Sequence, residues 1–411
     1  MKVAVINIVF GEKSTGRTYA ELKSFLENNG HECRVYYGAG YSKEKNAYRI
    51  GNKFSYYFHN IMSRVTGLEG YFSYFATKKL IRRLKEYDPD VVHLGNIHGH
   101  FLNLPLIFKY LKKYQKKVVL TTHDCWIFTG KCSHFIGFNC GKWMTGCKNC
   151  SSKKDYPKSY FFDFSKKMYK DKKKWLLGLK DLSVIAVSEW MGEQVKKSFL
   201  KDKQLYVNYN WIDTTNFKPL SQEERNSIRQ ELGYSEDDFV IVAVSTQWKK
   251  GTPRYEDLNK LSQMIDGNQK LLSIGIEESE LVKNERRKHI PFVSDVKYLA
   301  KLYGSADAFV HFSTADTFGK VIAEAQATGT PAIVYDRTAC PEVARLGNGY
   351  VVQARNVEQA HEKIKELSQL SKSERDAQRQ DRAKRVASVL SKDVRVNKYL
   401  EIYLETFKDK E

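Results

Sequence analysis

Strand-length apolar runs alternate with helical patterns along nearly the whole chain, in two successive series. Short runs without polar alternation are the mark of strands buried on both faces, and such strands belong to parallel sheets covered by helices. In the first series, residues 2–10, 32–37, 90–94, 117–122 and 182–187 read as strands. Residues 17–29, stopped by Gly30, and 104–116 read as helices, and Ser188 can cap the helix after the last strand. The second series supplies strands at 239–245, 269–274, 308–312, 332–335 and 349–352, with a helix at 320–328 ended by Gly329. The expectation is an α/β chain of two halves, 1–204 and 220–390, joined at 205–219. A last helix within 391–411 can pack on either half.

Hydrophobic residues make up 42% of the 411 and charged residues 28%, which excludes a disordered chain. No window offers the ~18 uncharged apolar residues of a membrane-crossing helix. The run at 3–10 contains Asn7 and leads into Glu12 and Lys13. It therefore reads as a buried strand rather than a secretory signal, and the expected location is the cytoplasm. A formal charge of +20 attracts nucleic acid, an anionic membrane face or phosphate-bearing substrates, without choosing between them.

Gly11-Glu12-Lys13-Ser14-Thr15-Gly16-Arg17-Thr18 follows a strand and precedes a helix, as a phosphate-cradling loop does, but Arg17 stands where that loop needs lysine. It reads as a strand-to-helix turn, with Gly16 at the donor ligand. In the second half, a strand ends near Phe312 and a helix begins near Phe318. Asp316 or Thr317 can cap that helix, leaving the N–H groups of Phe318, Gly319 and Lys320 to stabilise a diphosphate. Gly319 lets the backbone approach a ligand closely. Asp316 and Glu324 stand eight apart, so Glu324 lies about two turns into the helix. One carboxylate can sit near a sugar while the other reaches ribose hydroxyls. A plain capped helix with a solvated Glu324 has the same pattern. In the first half, Thr121-Thr122-His123-Asp124 ends one strand and His98 ends its neighbour. Ligands of open α/β sheets bind at such ends.

The stretch from Asp316 to Glu324 resembles the E-x7-E signature of family 4 glycosyltransferases, with aspartate in the first position. Asn210-Trp211-Ile212-Asp213 with Phe217-Lys218-Pro219 resembles that family's N-G-I-D…F-x-P linker, and Gln247-Trp248-Lys249-Lys250-Gly251 its K-G element. Gly329-Thr330-Pro331 and Cys340-Pro341-Glu342 resemble its return strand and following loop. The resemblance implies the GT-B fold, two Rossmann-like domains facing across a central cleft. It implies retaining transfer from a UDP- or GDP-sugar to a glycan or polyprenol-linked acceptor, in surface polysaccharide synthesis. Glu324 would hold the ribose. Lys250 would hold the diphosphate, with Lys249 or Arg254 in place of an arginine the family usually has. His123 and Asp316 would act at the sugar, and His98 and Asp124 on the acceptor side. No D-x-D motif stands at the cleft, so transfer without a metal or other cofactor is expected. A GT-B-like epimerase or phosphorylase is the nearer alternative.

Four of the seven cysteines, Cys132, Cys140, Cys147 and Cys150, fall within nineteen residues. Such clustering in a cytosolic chain points to a structural zinc on four thiolates, set against free thiols. The surrounding insertion, 125–150, resembles one in glycosyltransferases of exopolysaccharide and colanic-acid clusters. From Lys153 to Lys174, nine lysines interleave with aromatic rings, and Trp175 follows. Residues 52–83 add more rings among lysines and arginines. This composition suits peripheral attachment to an anionic membrane at its inner face. A solvated lysine face over packed aromatics would look similar. Single-stranded nucleic acid would stack on such rings too. The chain has no RNA-recognition, KH or helix-turn-helix signature, so nucleic acid is not an expected partner.

Overall fold

The computed structural model describes residues 1–245, 248–276 and 284–408. Gln247 of the K-G element lies outside the described residues. The chain divides into two compact units, Met1–Tyr209 with the residues from Val396 onward, and Asn210–Arg395.

The first unit runs β1 (Lys2–Val9), α1 (Lys13–Asn28), β2 (Glu32–Ala39), β3 (Ala47–Arg49), α2 (Lys53–Thr66), α3 (Tyr74–Tyr87), β4 (Val91–Leu94), α4 (Leu104–Lys113) and β5 (Lys117–Thr122). It continues with α5 (Ser165–Leu177), β6 (Leu182–Ala186), α6 (Glu189–Lys197) and β7 (Gln204–Val207). These strands form a seven-stranded parallel sheet in the order β3-β2-β1-β4-β5-β6-β7. Every residue of β4, β5 and β6 is buried, as uninterrupted apolar runs require. The chain reverses its direction of travel between β1 and β4, which is where open sheets of this kind bind ligands.

The second unit holds α7 (Gln222–Glu231), β8 (Phe239–Val244), α8 (Pro253–Met264), β9 (Gln269–Ile274), β10 (Arg287–Ile290), α9 (Val296–Ser305), β11 (Ala308–His311) and α10 (Lys320–Ala327). Then come β12 (Ala332–Tyr335), α11 (Cys340–Leu346), β13 (Tyr350–Val352), α12 (Val357–Gln369) and α13 (Lys372–Leu390). Its six-stranded parallel sheet is ordered β10-β9-β8-β11-β12-β13, with the reversal between β8 and β11. Asp307, buried just before β11, pairs with Arg225 and Arg229 of α7 and accepts the Val240 N–H at 2.8 Å. One carboxylate thus ties a helix to two strands. α14 (Lys392–Lys408) belongs from Val396 onward to the first unit. Its Tyr403 hydroxyl lies 2.6 Å from His93 Nδ1, and His93 Nε2 lies 2.8 Å from Thr121 Oγ1.

Two expectations need correction, and two strands went unread. The first helix begins at Lys13 rather than 17, so Gly16 sits inside it. A Cβ there would come within 3.2 Å of the Phe10 nitrogen and Val9, so the glycine lets α1 close on the end of β1. The connection expected at 205–219 begins later, because β7 pairs with β6 through Val207. The short strands β3 and β10 were not foreseen; neither is an apolar run.

Candidate functional site

In the first unit, the loops after β4 and β5 bring His98, His123 and Asp124 to one pocket, lined also by Asn96, Thr122 and Trp126. The two histidines are tuned in opposite directions. Burial alone would lower His98, but the Asp124 carboxylate, 2.7 Å from Nε2, raises it above the ordinary histidine value. Burial likewise works against the Asp124 charge, yet His98 and the Trp126 N–H hold its carboxyl below the usual range. His98 and Asp124 therefore favour each other's charged forms, with the Tyr156 hydroxyl 2.9 Å from His98 Nδ1. Burial pushes His123 down to about 4, so it is neutral at physiological pH. Its Nε2 lies 2.9 Å from the hydroxyl of the fully buried Tyr19. A neutral imidazole offers one donor and one acceptor, whereas a protonated one only donates.

A buried carboxylate fixes the His98 loop. Glu69 accepts the N–H groups of Gly99 and His100, at 2.9 and 2.8 Å, and the Ser63 hydroxyl at 2.7 Å. His100 Nδ1 lies 2.6 Å from the same carboxylate. His59, Glu69 and His100 are close enough to share an ion, but His59 Nε2 already accepts the Gly70 N–H.

None of the four clustered cysteines is in a disulfide. Among the described residues, the groups whose ligand atoms gather within 4.8 Å are His59 with Glu69 and His100, and His311 with Asp316 and Cys340; Cys132, Cys140, Cys147 and Cys150 do not form one. The Gly130 N–H donates to Cys147 Sγ at 3.0 Å. Lys172 is buried, with Nζ donating to the Trp126 carbonyl and lying 3.9 Å over that indole ring.

In the second unit, Arg254 in the first turn of α8 donates to Ser245 Oγ after β8 and Ser313 Oγ after β11. A guanidinium thus spans the reversal point of the sheet. Asp316 does not cap α10, as the sequence allowed. Gly319, at φ 82°, is the residue before the helix, and no side chain caps it. The helix opens at Lys320, so its first free N–H groups start there rather than at Phe318, which is buried. Asp316 instead pairs with His311 Nε2 and accepts from Cys340 Sγ at 3.7 Å. Burial would raise its carboxyl, but His311 and Arg254 hold it well below the usual range. Glu324, in the second turn of α10, is 9% exposed and not a solvated surface acid. Lys249 and Lys250 are exposed in the turn before α8.

Tyr19, Glu69, Tyr156 and His311 were not foreseen. Tyr19, Glu69 and Tyr156 lie far in sequence from their partners, so no spacing signals them, whereas His311 stands five residues before Asp316 and closeness to the motif was the signal available.

Two nucleotide-binding-type α/β units of this topology, each with polar groups gathered at its reversal point, define the GT-B class of fold. Residues 15–216 match the model of Glycosyltransferase Family 4, and residues 224–385 that of Glycosyl transferases group 1. The chain belongs to the group 1, family 4 glycosyltransferases. It is 25% identical over 179 residues to N-acetyl-alpha-D-glucosaminyl L-malate synthase of Bacillus anthracis, 41% of this chain and 46% of that protein. The chain spans about half the length of the curated relatives it matches. A glycosyltransferase from Rickettsia africae ESF-5 superposes with a TM-score of 0.68 at 19% identity, over 100% of both chains. Anabaena HepE, in complex with UDP and glucose, superposes at 0.67 and 14% identity, over 99% of this chain and 100% of that one.

Proposed function

We propose that this chain moves a glycosyl group, with retention of configuration, from a nucleotide sugar to a glycan or polyprenol-linked acceptor in surface polysaccharide synthesis, at the inner membrane face. The observation that carries the reading is the second unit's reversal point, where Arg254, the uncapped start of α10 and the buried Glu324 occur together. Fixed donors of this kind stabilise the charge that develops on a leaving diphosphate. Lys249, Lys250, Gly319 and Lys320 add to the phosphate-binding group, and Glu324 takes the ribose. HepE, which shares the fold, has been captured with UDP-glucose, which favours a nucleotide-sugar donor. His123 and Asp316 act at the sugar. The His98–Asp124 pair stands on the acceptor side. No step calls on a metal ion.

The proposal includes a structural zinc at Cys132, Cys140, Cys147 and Cys150, which binding would draw together. The Gly130 N–H on Cys147 Sγ suits a metal-bound thiolate, and because burial raises the Cys132 and Cys147 thiols, to about 12 and about 11, the zinc itself would have to displace their protons. The test of the function is a panel of nucleotide sugars, scored by thermal stabilisation and hydrolysis, with Glu324→Ala as control. Each charge-assisted bond lost should cost about 1.5–3 kcal/mol of donor binding. Donor affinity unchanged by Glu324→Ala overturns the ribose assignment.

A further inference from the structure

Helix α2 is built inside out. Its inward face carries His59 and Ser63, both buried. Its outward face carries Phe54, Tyr57, Phe58 and Ile61, exposed by 79, 60, 49 and 61%. Those four stand at i, i+3, i+4 and i+7, one continuous apolar stripe that in a water-facing helix would point at the core. The rotation is locked from within. His59 Nδ1 lies 2.7 Å from Ser73 Oγ, His59 Nε2 accepts the Gly70 N–H, and Ser63 donates to Glu69.

The stripe extends at both ends. Gly51, just before α2, lies against Ala76, and the neighbouring Phe75 is 83% exposed. At the other end, the Tyr160 N–H donates to the Arg64 carbonyl at 2.8 Å. This brings up a loop whose Phe161 is 67% exposed and whose Phe162 is exposed too. α2 has no acidic residue, Lys78 Nζ lies 4.6 Å over the Tyr74 ring, and Lys53, Arg64, Lys79, Lys154 and Lys158 are exposed on the same segments, outnumbering the exposed acids Asp155 and Asp163.

A contiguous exposed apolar patch marks an interaction surface. We propose that this surface docks the protein on an anionic lipid bilayer, with α2 lying in the headgroup plane and its rings among the acyl-chain ends. Rings with lysines around them match that boundary, where aromatics sit at headgroup depth and cations meet lipid phosphates. A second copy of the chain would set the same cations against each other. The inference deepens the membrane reading above and moves it. In α5, the lysine-rich helix, Met168 and Tyr169 are buried and the exposed side is mainly lysine, so the apolar part of the face comes from α2 and the 160–164 loop.

The test is flotation with phosphatidylcholine vesicles, with and without phosphatidylglycerol, using the full chain and no nucleotide or sugar. A failed transferase reading therefore leaves this assay untouched. Wild type floats with the anionic vesicles. Phe54→Ser with Phe58→Ser reduces binding at least about tenfold while melting like wild type, because both rings are already exposed. Lys78→Glu with Lys79→Glu weakens binding to anionic vesicles, and Phe58→Trp shows a blue-shifted emission when they are added. Equal binding by the double-serine variant overturns the proposal. So does a wild-type dimer in sedimentation that the same variant dissolves, or tighter binding of single-stranded DNA than of anionic vesicles.

Discussion

Changing Asp124 to Asn removes a charge while keeping the side-chain shape and one acceptor oxygen. In the native protein that carboxylate accepts from His98 Nε2 at 2.7 Å and from the Trp126 N–H at 2.8 Å. A charge-assisted bond contributes about 1.5–3 kcal/mol and a neutral one about 1, so the exchange costs roughly 1–2 kcal/mol through hydrogen bonding. The larger effect is on His98. Its pKa is raised by Asp124, so the pair's stabilisation is fully present below the unfolded histidine value and fades as pH rises through the raised folded value. Asp124 is lowered, so it remains ionised down through pH 5.5. With asparagine, burial is opposed only by the more weakly acting Glu69, and folding tends to strip the proton from His98 at acid pH, at about 1.4 kcal/mol for each tenfold loss of proton affinity. The penalty is therefore largest at pH 5.5 and smallest near pH 9. For a unit of this size each kcal/mol moves the melting temperature by about 2–4 °C, so calorimetry at pH 5.5 should show a drop on the order of 5–10 °C in the first unit's transition. A drop of the same size at pH 5.5 and pH 9 would refute the ion pair and make His98 a neutral hydrogen-bonding group.

Asp307→Asn leaves Arg225 and Arg229 buried without their carboxylate, and should destabilise the second unit by about 3–5 kcal/mol in urea unfolding; a loss under about 1 kcal/mol would show that the arginines find other partners. Arg254→Ala should weaken binding of the nucleoside diphosphate identified in the donor panel by about 1.5–3 kcal/mol in calorimetric titration, and unchanged affinity would remove the guanidinium from the donor site. Transfer should persist in EDTA, whereas activity lost and restored by magnesium or manganese would show that a metal takes part. Elemental analysis of protein purified without chelators should find about one zinc per chain; none, with four thiols titrated by a disulfide reagent, would make the cysteines ordinary free thiols.

The central strands were legible because strands covered on both faces must be apolar throughout, and 332–335 is seen as read. β3 and β10 stand at sheet edges, where polar residues are tolerated and the signal disappears. The positions of His98, His123 and Asp124 followed from strand ends alone, but their opposite tuning did not. It depends on Asp124 hydrogen-bonding directly to His98, whereas at His123 burial outweighs the same carboxylate. Asp316 was misread as a cap because capping residues are recognised by type, while the left-handed Gly319 that displaces the helix start is a matter of geometry. α2 shows the limit of periodicity. Its stripe is regular, and spacing says nothing about whether a stripe faces protein or solvent.

α14 has a consequence for how the molecule is made. Tyr399 and Tyr403 close over His93 and Thr121, behind the strand that leads to His123. The ribosome delivers these tyrosines only after the entire second unit. At ~5–20 residues per second, the first unit waits on the order of 10–40 s with His93 uncovered. The C-terminal halves of β4 and β5 are thus the last part of their own sheet to be sealed, and a chain cut before Val396 would leave His93 and Thr121 without the tyrosines that cover them.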